Sequence, residues 1–361
     1  MGVYIHVPFC EEKCDYCSFH SVRFDPSLAS RYIEALQNEI EQGYTEFTGS
    51  HIDSVYFGGG TPSLLDPETI DTLLSLLRRH AAFTDDVEVT IETNPSHFEL
   101  GRFLEFGDAG VSRVSCGIQT LDQSVYERIG RKGGFADDDF LEKISSIPQR
   151  LAFDIISGVG ASVQTLEKLL VFPVDHYSVY MLSVDEGTPL HTRGFHPDDE
   201  LQRGEYLAVC ELLNSKGFDH YEISNFARNE KYSRHNLKYW NFDEYCGFGA
   251  GAHSFIDGER RANALLAEYL ANNGLCRIVD KRTTDDAAAE YIMTKLRLRD
   301  GLAIEDFTLR FGETRGLQLK KAARRASIAI NDQGRIALNE EEFLFLDSIV
   351  YALAVDFIKG G

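Results

Sequence analysis

The sequence predicts an α/β protein in which a full or partial β/α barrel is followed by a smaller, mainly helical C-terminal domain. Up to about residue 225, short runs of strand-forming residues alternate with amphipathic helical segments, a pattern typical of a parallel sheet. No dinucleotide-binding fingerprint accompanies these units, so a barrel is favoured, and an open sheet stays as the alternative. We therefore place one domain at residues 1–255 and a second at 256–361.

The first predicted elements are a strand, a helix and a second strand. The first strand leads directly into a cysteine-rich segment. Apolar residues at helical spacing then predict a helix that contains Ala29, Tyr32, Ile33, Leu36 and Ile40. The segment 52–57 is rich in strand formers and ends in three glycines. Asp66 and Pro67 supply an N-cap and a first-turn proline for a helix expected at 67–82.

The same alternation continues along the chain. Further strands are predicted at 87–92, 112–118, 151–156, 175–182 and 219–224. Helices are predicted between them at 98–108, 122–130, 137–147, 162–171 and 199–215. In the C-terminal domain we expect helical runs at 284–297, 305–311 and 340–358.

Composition excludes several classes of protein. The 361 residues include 36 Lys and Arg against 57 Asp and Glu, a formal charge of −21, so binding to nucleic acid through a broad basic surface is not expected. A short basic cluster at 320–325 is interpreted as a solvated helix face. Neither a secretion signal nor an apolar run long enough to span a membrane is present, so we expect a cytoplasmic protein without a transmembrane segment.

The cysteines are the most informative residues. Three of the seven, Cys10, Cys14 and Cys17, fall within eight residues, a density that favours metal or cluster ligation over disulfides in a reducing compartment. Their spacing suits a loop around a cuboidal iron-sulfur cluster that leaves one iron without a protein ligand. The alternative is a closed zinc site completed by His20. The others are interpreted as buried small hydrophobes: Cys116, Cys210, Cys246 and Cys276.

Polar residues also follow the ends of several predicted strands. Gly58-Gly59-Gly60-Thr61-Pro62 closes the second strand, Glu92 the third and Gln119 the fourth, and Asp154 lies within the fifth. In a β/α barrel the C-terminal strand ends form the active face. Each residue by itself is equally well explained as a cap or a tight turn. Together with the cysteines they predict one polar-lined mouth.

Four motifs, in this order, carry a family resemblance. They are Tyr4-Ile-His-Val-Pro-Phe-Cys10 with Cys14 and Cys17, Phe57-Gly-Gly-Gly-Thr-Pro-Ser63, Glu92-Thr-Asn-Pro95, and Gly117-Ile-Gln119. They resemble the radical S-adenosylmethionine (radical SAM) superfamily, in the branch that contains anaerobic coproporphyrinogen III dehydrogenase and the HemW-type heme chaperones. The resemblance runs from residue 3 to about 300.

This resemblance implies a radical SAM partial β/α barrel and two cofactors. The three cysteines would hold a 4Fe-4S cluster, whose fourth iron is chelated by the amino and carboxylate groups of S-adenosylmethionine. Gly59, Gly60 and Thr61 would meet the methionine part of that cofactor. Glu92 and Arg131 would meet its charged groups, and Gln119 and Asp154 its ribose hydroxyls. Tyr4 would lie over the cluster.

Two departures separate the branches of this family. The dehydrogenase has a further cysteine two positions after the third cluster cysteine, where this chain has Phe19, and it carries a longer N-terminal segment. Conversely, His235-Asn-Leu-Lys-Tyr-Trp240 is similar to the H-N-x-x-Y-W signature of the heme chaperones. The resemblance makes His235 the candidate heme ligand and His253 a second one. The residues alone favour a packed aromatic cluster around a hydrogen-bonded histidine.

Four functions therefore compete. The first is a heme chaperone that retains the cluster and S-adenosylmethionine, with heme and unidentified heme-acceptor proteins as partners; a homodimer is left open. The second is a coproporphyrinogen III dehydrogenase that decarboxylates propionates by radical abstraction. A radical methyltransferase and a zinc-binding structural protein follow, and they predict methylated product and bound zinc respectively.

Overall fold

The computed structural model describes residues 1–43 and 49–358. Its strands are β1 (Gly2–Val7), β2 (Phe9–Cys10), β3 (Val22–Arg23), β4 (His51–Gly59), β5 (Ala82–Thr93), β6 (Arg113–Gln119), β7 (Arg150–Ser157), β8 (His176–Met181), β9 (Asp219–Glu222), β10 (Asn225–Ala227), β11 (Tyr245–Phe248), β12 (His253–Ile256), β13 (Glu259–Asn263), β14 (Arg277–Asp280), β15 (Leu302–Ala303) and β16 (Arg335–Ile336). Its helices are α1 (Pro26–Gly43), α2 (Pro67–His80), α3 (Leu100–Asp108), α4 (Gln123–Arg128), α5 (Asp138–Ile144), α6 (Ser162–Leu169), α7 (Pro189–Thr192), α8 (Asp199–Ser215), α9 (Arg234–Asn241), α10 (Leu266–Ala271), α11 (Thr284–Lys295), α12 (Ile304–Phe311), α13 (Glu313–Arg325), α14 (Glu340–Phe343) and α15 (Leu346–Ile358).

A parallel sheet forms the centre of the molecule. Strands β1, β4, β5, β6, β7 and β8 lie side by side in that order, each parallel to the next. Strand β11 is parallel to β1 on its other side. The two ends of the sheet, β9 and β14, do not pair with each other, so the barrel is partial. The predicted α/β architecture with a partial β/α barrel is confirmed.

An unpredicted strand separates one predicted strand from the parallel series. The segment 219–224 is expected to continue that series, but β9 pairs antiparallel with β10, which in turn pairs antiparallel with β8, so β9 runs in the same direction as β8 without pairing with it. Only two residues separate β9 from β10, and a parallel connection needs a dozen or more. The chain therefore turns back as a hairpin at this edge.

Helix α2 shows how local sequence sets the element bounds. Pro67 starts the helix after Asp66, and Ile70, Leu73 and Leu77 form part of its buried face. The helix ends at His80 because Ala81 takes an extended backbone and β5 begins at once. Strand β5 is therefore longer at its start than the predicted strand at 87–92.

The C-terminal part begins as an extension of the sheet. Strands β12, β13 and β14 add to it as antiparallel neighbours, and the boundary predicted between residues 255 and 256 falls inside β12. From Thr284 onward the chain is mostly helical. The closing helix predicted at 340–358 is two helices, α14 and α15. The division into two domains stays a prediction. Among the described residues no helix is long and apolar enough to cross a membrane.

The central strands have one apolar and one polar face. Val3, Ile5 and Val7 of β1 are fully buried in the main core. The alternate residue Tyr4 is in register with Tyr56 of β4, and their rings stack at 6.2 Å between centroids. This polar face and the C-terminal strand ends carry the candidate site.

Candidate functional site

The cysteine segment is a short loop anchored at both ends. Cys10 ends β2. Because β2 pairs with β3, the residues between these two strands form a closed loop. Inside the loop the Cys17 amide donates to the Cys14 carbonyl at 3.1 Å. Cys14 is buried, whereas Cys10 and Cys17 are partly exposed. The structure thus holds all three thiols in one folded loop at the C-terminal end of β1.

Several donors point at these sulfurs. The Cys14 Sγ accepts from Arg131 Nη1 at 3.2 Å and from the Lys132 amide at 3.3 Å, and the Cys10 Sγ accepts from the Thr61 hydroxyl at 3.7 Å. Burial raises the pKa of both Cys10 and Cys17, so the metal-free thiols resist ionisation. Hydrogen-bond donors on cysteine sulfur suit thiolates that ligate iron. The donor set therefore fits an iron-sulfur cluster.

Arg131 connects this loop to the strand ends. Its Nη2 donates to Asn94 Oδ1 at 2.6 Å and to the Gly117 carbonyl at 2.8 Å. Asn94 Nδ2 in turn donates to Thr61 Oγ1 at 2.9 Å. A continuous hydrogen-bond network therefore runs from Cys10 through Thr61, Asn94 and Arg131 to Cys14. Sequence reasoning did not assign Asn94 a role, although it stands in the Glu92-Thr-Asn-Pro95 motif.

The glycines at the end of β4 are required because neighbouring groups leave no room for a side chain. A Cβ at Gly59, which has φ of 111°, would lie 2.4 Å from the His6 ring, and a Cβ at Gly60 would lie 2.4 Å from the Phe9 carbonyl oxygen. No real side chain tolerates either distance. The missing side chains let the end of β4 lie directly against the start of the cysteine loop.

Glu92 lies beside these glycines. Its carboxylate accepts from the Tyr56 hydroxyl at 2.7 Å and from the Gly59 amide at 3.1 Å. Burial raises the pKa of Glu92 to about 7, and the nearby Asp154 adds to the shift. An ionisable carboxylate thus lies at the mouth, where a positively charged ligand would favour its ionised form.

Gln119 and Asp154 lie on the next strands. Gln119 ends β6 with φ of 67°, next to an irregularity in the pairing of β6 with β7. The Asp154 carboxylate accepts from the Ser115 hydroxyl at 3.1 Å, and its pKa is raised by burial. Both residues are partly exposed, and Asp154 is the register partner of Gly117, two residues before Gln119. Hydroxyl-bearing ligands pair readily with such amide and carboxylate groups.

The structure also gives partners for Tyr4 and His20. The Tyr4 hydroxyl hydrogen-bonds His6 Nδ1 at 3.0 Å, on the polar face near the cysteine loop. His20 Nε2 accepts from the Leu266 amide at 3.3 Å, so this nitrogen is committed to the C-terminal part of the chain. Within the described ranges, no three His, Cys, Asp or Glu side chains converge as they would around a single metal ion.

A cavity of about 370 Å³ adjoins the cysteine loop. Thr61, Asn94, Glu11, Lys132 and Gly133 are among the residues that line it. Of the predicted site residues it contains Thr61 alone. The cavity therefore meets the hydrogen-bond network at Thr61 and Asn94.

His235 lies near the N-terminal ends of β1 and β4, whereas the predicted mouth is at the C-terminal ends. It is 1% exposed, on helix α9, and contacts the beginnings of β1 and β4. Its Nδ1 hydrogen-bonds Ser54 Oγ at 3.2 Å, its Nε2 hydrogen-bonds the Tyr239 hydroxyl at 2.8 Å, and its ring lies 6.1 Å from that of Tyr4. Burial lowers the pKa of His235 to about 3. This is the packed aromatic arrangement that the residues alone favour, and the ligand role of His235 stays a prediction.

Comparison with known proteins agrees with this geometry. Residues 4–150 match the model of the radical SAM superfamily. The chain is similar to the heme chaperone HemW of Bacillus subtilis, with 29% identity over 96% of this chain and 100% of the relative. It is 33% identical to the heme chaperone HemW of Mycobacterium tuberculosis, over 84% of this chain and 83% of the relative.

A solved structure supports the fold. Coproporphyrinogen III oxidase (HemN) from Escherichia coli, a radical SAM enzyme, superposes with a TM-score of 0.83 over 98% of this chain and 90% of that one. The sequence identity is 21%, so this likeness bears on the fold alone. The cysteine loop, the polar strand ends and the relatives agree. The chain belongs to the radical SAM superfamily and, within it, to the family of the HemW heme chaperones.

Proposed function

We propose that this chain is a heme chaperone that carries a 4Fe-4S cluster, binds S-adenosylmethionine and heme, and delivers the heme to acceptor proteins in the cytoplasm. The observation that carries the proposal is the similarity to a heme chaperone along nearly the whole chain, 96% of it, rather than along the barrel alone. Nucleic acid has no part in this function, since the chain carries a charge of −21.

The cluster would be held by Cys10, Cys14 and Cys17. Support comes from the donors on their sulfurs, because Arg131 and the Lys132 amide lie within 3.3 Å of Cys14 Sγ. A cationic guanidinium beside a cluster thiolate stabilises the negative charge that the cluster gains on reduction. Arg131 would therefore favour the reduced state of the cluster, besides holding the cysteine loop in place.

S-adenosylmethionine would occupy the mouth beside the cluster. Its contacts would be Gly59, Gly60 and Thr61 for the methionine part, Glu92 and Arg131 for the charged groups, and Gln119 and Asp154 for the ribose. Support comes from Gly59, Glu92 and Gln119, which lie at or next to the C-terminal ends of neighbouring parallel strands. When bound, this cofactor supplies radical chemistry in the catalytic members of the family. Here Glu92 binds positive charge, and its Tyr56 and Gly59 donors keep the carboxylate oriented.

Heme ligation by His235 would need a rearrangement. Both ring nitrogens already have partners, and the ring is almost fully buried. An iron atom reaches either nitrogen only if α9 moves away from β1 and β4. The heme proposal therefore does not depend on His235 in the closed arrangement.

Coproporphyrinogen III dehydrogenation is the alternative function. The exposed Phe19 stands where that enzyme has a further cysteine, and this difference disfavours the dehydrogenase function. One anaerobic experiment on cluster-reconstituted protein separates the two functions. A saturable hemin site measured at the Soret band, together with no decarboxylated porphyrin after addition of reductant, S-adenosylmethionine and coproporphyrinogen III, supports the chaperone. Porphyrin product without a saturable hemin site overturns it.

A further inference from the structure

The glycine loop that follows β7 already holds an anion. This loop is Gly158-Val-Gly-Ala-Ser162, and it leads directly into helix α6. Its backbone amides converge on the carboxylate of Glu205, which belongs to helix α8. One carboxylate oxygen accepts from the Val159 amide at 2.8 Å and from the Gly160 amide at 2.9 Å. The other oxygen accepts from the Ser162 amide at 3.0 Å. A carboxylate therefore fills the cradle that the loop forms.

This cradle has the form of a phosphate site. Backbone amides of a glycine-rich turn at a helix N-terminus bind phosphate groups in nucleotide-binding proteins. Gly158 and Gly160 have φ of 80° and 95°, a backbone conformation that glycine adopts without strain. Glu205 is only 9% exposed, and charge-assisted hydrogen bonds from the amides stabilise its carboxylate there. The protein thus supplies the anion itself, and an added phosphate would find its donors taken.

Helix α8 holds Glu205 in this position. Three residues earlier on the helix, Gln202 lies against the same loop, since a Cβ at Gly158 would lie 2.5 Å from its Cγ. The Gln202 side-chain amide donates to the Leu182 carbonyl at 2.7 Å, directly after the end of β8. Two side chains of α8 therefore fix the segments that follow β7 and β8.

The fixed loop lies next to the proposed ribose contacts. Asp154 stands on β7, a few residues before the loop. Thr165 of α6 accepts from the Leu121 amide at 3.1 Å, and Leu121 follows Gln119 by two residues. Because Glu205 fixes the first turn of α6, it also fixes the backbone that carries both ribose contacts.

The same loop reaches the cysteine loop on its other side. Val159 and Ala161 belong to a small apolar cluster that also contains Ile129, and Tyr16 of the cysteine loop packs against this cluster. Arg128 donates to the Val159 carbonyl. The glycine loop therefore lies between the proposed ribose contacts and the cysteine loop, where S-adenosylmethionine would bind.

We propose that Glu205 is a positioning residue of the S-adenosylmethionine site, which acts as an internal substitute for phosphate and orders the loop after β7 for an adenosyl group without phosphate. This inference rests on the proposed binding of S-adenosylmethionine and names a residue that prepares that site. Glu205 acts through the loop amides and α6 rather than through contact with the cofactor. Its negative charge also disfavours a phosphate-bearing ligand beside the loop, whereas a cationic sulfonium is not repelled.

The test is a calorimetric titration of S-adenosylmethionine into the anaerobic, cluster-reconstituted protein. Glu205→Ala removes the internal anion, and Glu211→Ala, at an exposed glutamate of the same helix, is the matched control. We expect Glu205→Ala to weaken binding at least about tenfold, with iron and sulfide content unchanged. Inorganic phosphate should restore most of the affinity of this variant, because it fills the vacated cradle, and should not change that of the native chain. The control should bind like the native chain.

A second variant leaves the cradle filled and removes its connection to the strand end. Thr165→Val takes away the acceptor of the Leu121 amide, at a position that is 2% exposed. We expect weaker binding of S-adenosylmethionine here as well, without any recovery in phosphate. This variant decides the question if Glu205→Ala does not fold.

Absence of S-adenosylmethionine binding by the native chain would overturn the proposed cofactor itself. If the native chain binds the cofactor and Glu205→Ala binds it equally well, the proposed cofactor stands and the positioning role of Glu205 is wrong. Weaker binding by Glu205→Ala that phosphate does not reverse, together with native affinity in Thr165→Val, also overturns the positioning role, since it is the result of a general loss of structure. Native affinity in Thr165→Val overturns it likewise if Glu205→Ala does not fold.

Discussion

Replacing His235 by glutamine should destabilise the protein less in acid than at neutral pH. Burial, with a contribution from Lys238, lowers the pKa of His235 from 6.5 to about 3. The unfolded chain therefore binds a proton below pH 6.5 that the folded protein does not bind until about pH 3. The contribution of His235 to stability is thus present above pH 6.5 and is lost as the pH falls through this window. Glutamine does not titrate, so the variant escapes that loss.

The magnitude follows from the contacts and from the pKa. Glutamine cannot keep both the Ser54 and the Tyr239 hydrogen bond, and a buried hydroxyl left without its partner costs about 1–3 kcal/mol, so the variant should be about 2 kcal/mol less stable near pH 8. Near pH 5, about 1.5 units below the pKa of an unperturbed histidine, proton binding to the unfolded chain lowers the stability of the native protein by about 2 kcal/mol. The two stabilities should therefore nearly coincide near pH 5.

Urea unfolding of the cluster-free protein measures this difference. The single tryptophan, Trp240, lies on the same helix as His235 and reports its unfolding by fluorescence. Asn236→Ala is the matched control, because it changes a non-titrating side chain of α9 and should differ from the native chain by a constant amount at every pH. A gap between His235→Gln and the native chain that is equally large near pH 5 and near pH 8 would refute the enclosed, neutral histidine.

Three further predictions concern the mouth. Cys14→Ser should lose the iron and sulfide of reconstituted protein, whereas Cys276→Ser should keep both, as iron and sulfide analysis will show. Because burial raises the pKa of Glu92 to about 7, affinity for the cationic sulfonium of S-adenosylmethionine should rise from about pH 6 to about pH 8, and Glu92→Gln should abolish this rise in calorimetric titrations. Gly60→Ala places a Cβ 2.4 Å from backbone and should cost about 1–3 kcal/mol in thermal unfolding, whereas Gly101→Ala, with nothing within 4 Å, should cost none.

The predicted site residues mostly gather because of a general property of parallel sheets. Thr61, Glu92 and Gln119 each follow or end a parallel strand, and such strand ends share one edge. The sequence also separates the cysteine loop from the other cysteines by spacing alone. These features depend on local order along the chain, which a single sequence carries.

The position of His235 depends on long-range packing. Its partner Ser54 is 181 residues away, and the contact forms only because α9 folds back against β1 and β4. The motif around His235 makes it a candidate heme ligand by resemblance, but it does not show that the ring packs against β1 and β4. Asn94 was overlooked for a similar reason, since its partners Thr61 and Arg131 come from distant parts of the chain.

Strands β13 and β14 also have no clear local signal. The segment Glu259–Asn263 contains two arginines and a glutamate, without the apolar alternation of a half-buried strand. It becomes a strand because β12 offers an edge to pair with, and ion pairs such as Arg260 with Glu290 neutralise its charges. Pairing at a sheet edge is a tertiary effect that outweighs weak local propensity.

Heme transfer tests the chaperone proposal most directly. The cluster-reconstituted protein is loaded with isotopically labelled heme and mixed with an extract of heme-depleted cells of the same organism, and the label on acceptor proteins is followed with time. We predict transfer that is faster than spontaneous heme loss to an excess of a heme-scavenging protein, because contact with the acceptor releases the cargo. Transfer that never exceeds spontaneous loss would contradict the proposal.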